Sequence, residues 1–166
     1  MKLYIMRHVE AVSGTPDVSR ALDVTGQQEV ARMSEWLISA MDREMQPRLR
    51  IVASPYDRAQ QTARIVASQL QVDDVMALPL ITPDAPVESV IEWLSENVGV
   101  GADDAPWMLV SHMPLVAELT GRLVNGGPQA RLPMGTADIV ELDAEVWADG
   151  CATLVRHVTP DSATIS

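Results

Sequence analysis

Short apolar runs alternate with stretches of helical periodicity along most of the chain. The runs are four to six residues long and end at polar residues or proline, which is typical of buried strands in a parallel sheet. The clearest is Leu3-Tyr4-Ile5-Met6, which stops abruptly at Arg7-His8. Further strands are predicted at 49–54, 75–78 and 107–111.

Helices are predicted between these strands, because apolar residues recur there every three or four positions. The first follows a capping box at Thr25-Gly-Gln-Gln28. The predicted helices are 26–43, 56–70, one whose apolar stripe extends from Val87 to Val98, and one that begins at Pro114. Two later strand-like stretches, 136–142 and 152–158, flank a hairpin-type turn signal at Asp149-Gly150.

This order of elements predicts an α/β fold, with a doubly wound, mostly parallel sheet that carries helices on both faces. We expect an antiparallel pair of strands at its end. The chain has 166 residues, no internal repeat and no convincing linker, so we expect a single domain over 1–166.

Composition narrows the class of protein. The chain is 47% hydrophobic and 21% charged, with a net charge of −11, which argues against nucleic-acid binding and requires any positive site to be local. A lone cysteine, Cys151, fits a reducing compartment. The N-terminal apolar run is too short for a secretory signal, and no run approaches the ~18 residues of a membrane span. We therefore expect a cytoplasmic protein with no membrane partner.

Cationic side chains follow three of the predicted strands. Arg7-His8 follows the first, Ser111-His112 closes the fourth, and Ser54-Pro-Tyr-Asp-Arg58 follows the second. The carboxyl ends of parallel neighbours open onto one crevice. Two histidines, two arginines and helix N-termini would meet there, which predicts an anion site. An arginine clamp beside a neutral imidazole suits a phosphoryl group.

The three segments resemble the signature blocks of a known superfamily. Met6-Arg7-His8, Ser54-Pro55-x-x-Arg58-Ala59-x-Gln61-Thr62 and Ser111-His112-x-Pro114 resemble those of the histidine phosphatases. The short length is similar to their compact branch, the SixA-type phosphohistidine phosphatases. Further similarities to that branch are Arg20-x-Leu22 with Thr25-Gly26, Leu80-x-Thr82-Pro83 and Gly135-Thr136-Ala137. One departure is Val9, where the family usually has glycine.

The resemblance implies a phosphoglycerate-mutase-like fold without a large lid, and a metal-free, cofactor-free hydrolase. It implies His8 as the nucleophile that becomes phosphorylated, and Arg7, Arg58 and His112 as the groups that hold the phosphoryl oxygens. It also indicates Arg20 and Ser54 as substrate-binding residues, although Arg20 is equally well explained as a solvated side chain.

The ease with which a leaving group departs indicates the class of substrate. Only 53 residues separate Arg58 from His112, and the third strand and its helix occupy most of them, so we expect no large inserted lid there. An imidazole with a pKa of about 6.5 leaves more easily than an alkoxide, so a weak acid in an open site suffices. The candidate general acids are Glu10, Asp84 and Glu88. Glu10 adjoins His8, whereas Glu88, at the third helical position, is better explained by the helix dipole.

Three functions remain open from the sequence. The first is a phosphatase for a phosphohistidine protein, such as a His-phosphotransfer domain or a phosphocarrier protein. The second is a phosphatase for small phosphoesters. The third, motivated by Val9, is a weakened module that binds phosphohistidine without hydrolysing it. His157, far from the three blocks in sequence, is interpreted as a surface or satisfied strand histidine.

Overall fold

The computed structural model describes residues 1–8 and 23–163. Within this part of the chain, six strands form one sheet. They are β1 (Lys2–Arg7), β2 (Arg50–Ala53), β3 (Val75–Ala77), β4 (Trp107–Ser111), β5 (Ile139–Asp143) and β6 (Thr153–Val158). Their order across the sheet is β3-β2-β4-β1-β5-β6.

The first four strands of the chain are parallel, and the last two are added at one edge. β4 lies between β2 and β1 and is parallel to both, while β3 is parallel to β2. β5 is antiparallel to β1, and β6 is antiparallel to β5. The predicted mostly parallel sheet with a terminal antiparallel pair is therefore confirmed.

Four α-helices in the described residues cover the two faces of the sheet. They are α1 (Val24–Ala40), α2 (Asp57–Leu70), α3 (Val87–Asn97) and α4 (Leu115–Asn125). The apolar side chains of α1 and α2 belong to one core, and those of α3 and α4 belong to the other. The predicted doubly wound arrangement is confirmed. None of the described helices is both long enough and apolar enough to cross a membrane.

The apolar run of β1 is explained by burial on both faces. Tyr4 and Met6 pack into the core beneath α1 and α2, whereas Leu3 and Ile5 pack into the core beneath α3 and α4. None of the four is more than 4% exposed. A strand covered on both sides must be apolar at every position, which is why its pattern is continuous.

The predicted start of α1 is wrong by two residues. The helix begins at Val24, and its N-cap is Asp23, whose Oδ1 accepts a hydrogen bond of 2.7 Å from the amide of Gly26. Thr25 lies inside the first turn and does not cap it. A carboxylate at the N-cap satisfies a free amide and favours the positive end of the helix dipole, so Asp23 replaces the predicted capping box.

Candidate active site

The ends of β1, β2 and β4 lie side by side. Arg7 pairs with Ser111 across the β1–β4 ladder, and the amide of His8 donates to the Ser111 carbonyl at 2.9 Å. The amide of Ser54 donates to the Val110 carbonyl at 3.0 Å, which continues the β2–β4 ladder. The backbone pairing of three strands therefore brings the three sequence blocks to one edge of the sheet.

Three of the predicted side chains are in contact. Nε of Arg58 donates a hydrogen bond to Nε2 of His8 at 3.3 Å. The imidazole centroids of His8 and His112 are 4.9 Å apart, with the ring planes at 57°. Arg58 and His112 are buried, at 5% and 1% exposure. Since Nε2 of His8 accepts a hydrogen bond from a guanidinium, this nitrogen carries a lone pair, as a nucleophile requires.

His112 is held in place from the second block. Its Nε2 lies 2.7 Å from Oγ of Ser54, which is fully buried, and that oxygen also accepts from the amide of Tyr56 at 3.3 Å. The ring of Tyr56 meets His112 edge-on at 5.1 Å, and the Arg58 guanidinium lies over the same ring at 4.8 Å. One serine and one tyrosine thus orient both the second imidazole and the buried arginine.

Arg7 lies at the same edge of the sheet, and its side chain is held by a backbone carbonyl. Its Nη1 donates to the Met134 carbonyl at 2.8 Å, and its Nε is buried with no hydrogen-bond partner among the described residues. An unsatisfied guanidinium N–H in a buried position is costly unless a further acceptor binds there. This observation fits an anion at the crevice.

Two of the predicted general acids, Glu88 and Asp84, are exposed. Glu88 is two-thirds exposed, and its Oε1 accepts from Nη1 of Arg122 at 3.2 Å, while Arg122 also pairs with Asp149. Its own backbone amide, followed by the Arg122 guanidinium, lowers the pKa of Glu88, which makes it a weaker proton donor at neutral pH. Asp84 is exposed in the loop before α3. Neither carboxylate forms a hydrogen bond or an ion pair with His8 or His112.

Three residues of the sequence prediction, Val9, Glu10 and Arg20, lie outside the described residues. Ser54 is present at the site, where its hydroxyl contacts Nε2 of His112 and the amide of Tyr56. The described residues contain no group of three or more histidine, cysteine, aspartate or glutamate side chains that could hold a metal ion.

Two features of the site were not predicted. Tyr56 lies inside the second block. An aromatic residue two positions before Arg58 was the signal from which its contact with the guanidinium could have been predicted. His157 comes to the same edge because Ile139, at the start of β5, pairs with both Met6 of β1 and Val158 of β6. Its Nε2 lies 2.8 Å from Oδ2 of Asp138. The interpretation of His157 as a satisfied strand histidine agrees with this contact, but its distance from the blocks in sequence was misleading.

Comparison with solved structures shows which proteins share this fold. The protein histidine phosphatase SixA complexed with tungstate superposes with a TM-score of 0.83 and 27% identity, covering 99% of this chain and all of the match. A protein of Nakamurella multipartitia that carries the same SixA name gives a TM-score of 0.73 and 20% identity over 96% of this chain and 95% of that one. No protein-family model and no curated protein matches the chain.

Phosphatases of small molecules have the same fold. A mycobacterial glucosyl-3-phosphoglycerate phosphatase in complex with inorganic phosphate gives a TM-score of 0.68 and 19% identity, with 99% of both chains covered. The chain therefore has the fold of the histidine phosphatase superfamily. The structure is similar over 99% of the chain to the protein histidine phosphatase SixA, as its three sequence blocks predicted.

Proposed function

We propose that this protein is a phosphohistidine phosphatase that uses His8 as its nucleophile. The observation that supports this most directly is the hydrogen bond from Nε of Arg58 to Nε2 of His8, beside the imidazole of His112. It combines a lone pair on nitrogen with adjacent positive charge. Phosphoryl transfer requires both, because the lone pair attacks phosphorus and the positive charge stabilises the phosphoryl oxygens.

The proposed reaction has two steps. In the first, Nε2 of His8 attacks phosphorus in line, the bond from phosphorus to the substrate nitrogen breaks, and its electron pair leaves with the imidazole, which takes up a proton. In the second, water attacks phosphorus and the bond to His8 breaks, which releases phosphate. Arg7, Arg58 and His112 stabilise the oxygens, and Ser54 acts by orienting His112.

The compact architecture supports a phosphohistidine substrate. Between Arg58 and His112, all of it described, the chain forms the rest of α2, β3, two short 3-10 helices, α3 and β4, with no inserted domain. A site without an inserted domain between these two residues would admit a phosphorylated side chain on another folded protein. An imidazole leaving group, with a pKa of about 6.5, also demands little of a general acid. The proposed partner is a cytoplasmic phosphotransfer domain or phosphocarrier protein.

A second candidate is a phosphatase for small phosphoesters. It is favoured by the likeness to the glucosyl-3-phosphoglycerate phosphatase. The two candidates differ in their leaving group. Rates measured side by side on a phosphohistidine phosphocarrier protein and on an alkyl phosphate distinguish them, since faster alkyl hydrolysis would overturn the first proposal.

The nucleophile is tested by His8→Ala. We expect this variant to fold, to lose turnover, and to give none of the acid-labile labelled phosphoenzyme that the parent protein forms. Arg64→Ala is the matched control, because Arg64 is an exposed arginine on the same helix as Arg58. Turnover that survives in His8→Ala refutes the assignment. A parent protein that binds phosphohistidine without forming any phosphoenzyme would instead be a binding module.

A further inference from the structure

Asp138 forms a buried junction between β6 and the segment that precedes β5. The carboxylate residue is only 5% exposed. Its Oδ2 accepts a hydrogen bond from the amide of Gly135 at 2.8 Å and lies 2.8 Å from Nε2 of His157. A buried carboxylate is stable only when its oxygens are bonded in this way, so the two contacts hold the carboxylate, the 135–138 turn and His157 together.

The same turn is bonded to Arg7 at three points. The amide of Arg7 donates to the Asp138 carbonyl at 3.1 Å, and the amide of Ala137 donates to the Arg7 carbonyl at 3.1 Å. Nη1 of Arg7 donates to the Met134 carbonyl at 2.8 Å. Thus both the backbone and the guanidinium of Arg7 are attached to the segment 134–138.

The turn does not hold this shape by backbone preference alone. Ala137 has a φ of 65°, in the left-handed region that side chains other than glycine rarely adopt. Such a conformation persists when surrounding contacts determine it. In this turn, those contacts are the bond from Gly135 to Asp138, the bond from His157 to Asp138, and the pairing with β1.

We infer that Asp138 and His157 are positioning residues, which fix the 134–138 turn and thereby aim the guanidinium of Arg7 at the anion in the crevice. This inference rests on the role that the proposed function gives Arg7. The buried Nε of Arg7, with no partner among the described residues, is the group whose direction depends on this support. His157 thus acts on the site from β6 without touching the substrate.

The test measures the Kd of inorganic phosphate by isothermal titration calorimetry on the full chain. His157→Leu removes the donor to Asp138, and we expect the Kd to rise about tenfold, the effect of losing one well-placed charged contact. His157→Gln keeps an N–H donor and should restore most of the affinity. Asp138→Asn is a second, smaller change that should also weaken binding. Val155→Ala, on the same strand at an exposed position, is the matched control and should bind as the parent does.

A double variant of Arg7 and His157 distinguishes a positioning role of His157 from a general effect on stability. In an Arg7→Gln background, His157→Leu should have little further effect on the Kd, because the group that it positions is gone. If His157→Leu and Asp138→Asn fold and bind phosphate like the parent, while Arg7→Gln binds it weakly, the positioning role is refuted and the role of Arg7 stands. An unchanged Kd in Arg7→Gln refutes the role of Arg7, and with it this inference, whereas the assignment of His8 as the nucleophile is tested separately by His8→Ala.

Discussion

The bond between Ser54 and His112 offers the sharpest test of how the site is built. Both side chains are buried, at 0% and 1% exposure, and Oγ of Ser54 lies 2.7 Å from Nε2 of His112. Ser54→Ala deletes the oxygen and leaves this ring nitrogen and the Tyr56 amide without that partner. Depriving a buried polar group of its partner costs about 2 kcal/mol, which corresponds to a Tm roughly 4–8 °C lower for a domain of this size.

Ser34→Ala is the matched control. Ser34 is also fully buried, but its Oγ donates at 2.8 Å to the carbonyl of Val30, one turn earlier in α1. That carbonyl belongs to the hydrogen-bond ladder of the helix, so removing the hydroxyl should cost less than about 1 kcal/mol. Urea unfolding of the two variants, compared at equal m-values, isolates the contribution of the His112 contact.

The same substitution should also reduce activity. If Ser54 holds the ring of His112, its loss misplaces one of the groups that we propose to bind the phosphoryl oxygens, and kcat/KM should fall about tenfold to a hundredfold. Ser34→Ala should leave kcat/KM unchanged. Equal destabilisation by the two substitutions, together with full activity in Ser54→Ala, would refute the view that Ser54 orients His112.

Three other residues, Gly121, Tyr4 and Glu88, give further predictions. Gly121→Ala should destabilise the protein by about 1–3 kcal/mol in urea unfolding, because its Cβ would lie 2.3 Å from the Ala130 carbonyl oxygen. Burial raises the pKa of Tyr4 from 10.0 to about 12, so the folded state should lose stability as the pH rises through that window, and Tyr4→Phe should abolish this alkaline slope in unfolding experiments. Glu88→Gln should leave turnover within about twofold of the parent, because Glu88 is exposed and paired with Arg122; a large loss would restore it as the general acid. Its lowered pKa also predicts that the ion pair stabilises the fold at neutral pH, with the contribution lost as the pH falls through that pKa, which acid unfolding of the same variant measures.

Local patterns were sufficient for the main elements and for the cationic cluster. Continuous apolar runs mark strands buried on both faces, and their alternation with helices predicts that β1, β2 and β4 are parallel. The position of β4 between β1 and β2 came from the structure. Boundaries were less accurate, as at α1, where Asp23 caps the helix instead of Thr25. The choice between two nearby capping residues depends on which side chain reaches a free amide, which periodicity does not describe.

The sequence by itself predicted which side chains would bind a phosphoryl group, because His8, Arg58 and His112 lie in segments that follow apolar runs and resemble the signature blocks of a known superfamily. Only the tertiary structure decided how they are supported. The hydroxyl of Ser54 contacts the imidazole of His112, and His157 of β6 contacts Asp138, which precedes β5. These contacts join residues that are distant along the chain, and they depend on strand register and packing, which a linear pattern of apolar and polar positions does not contain.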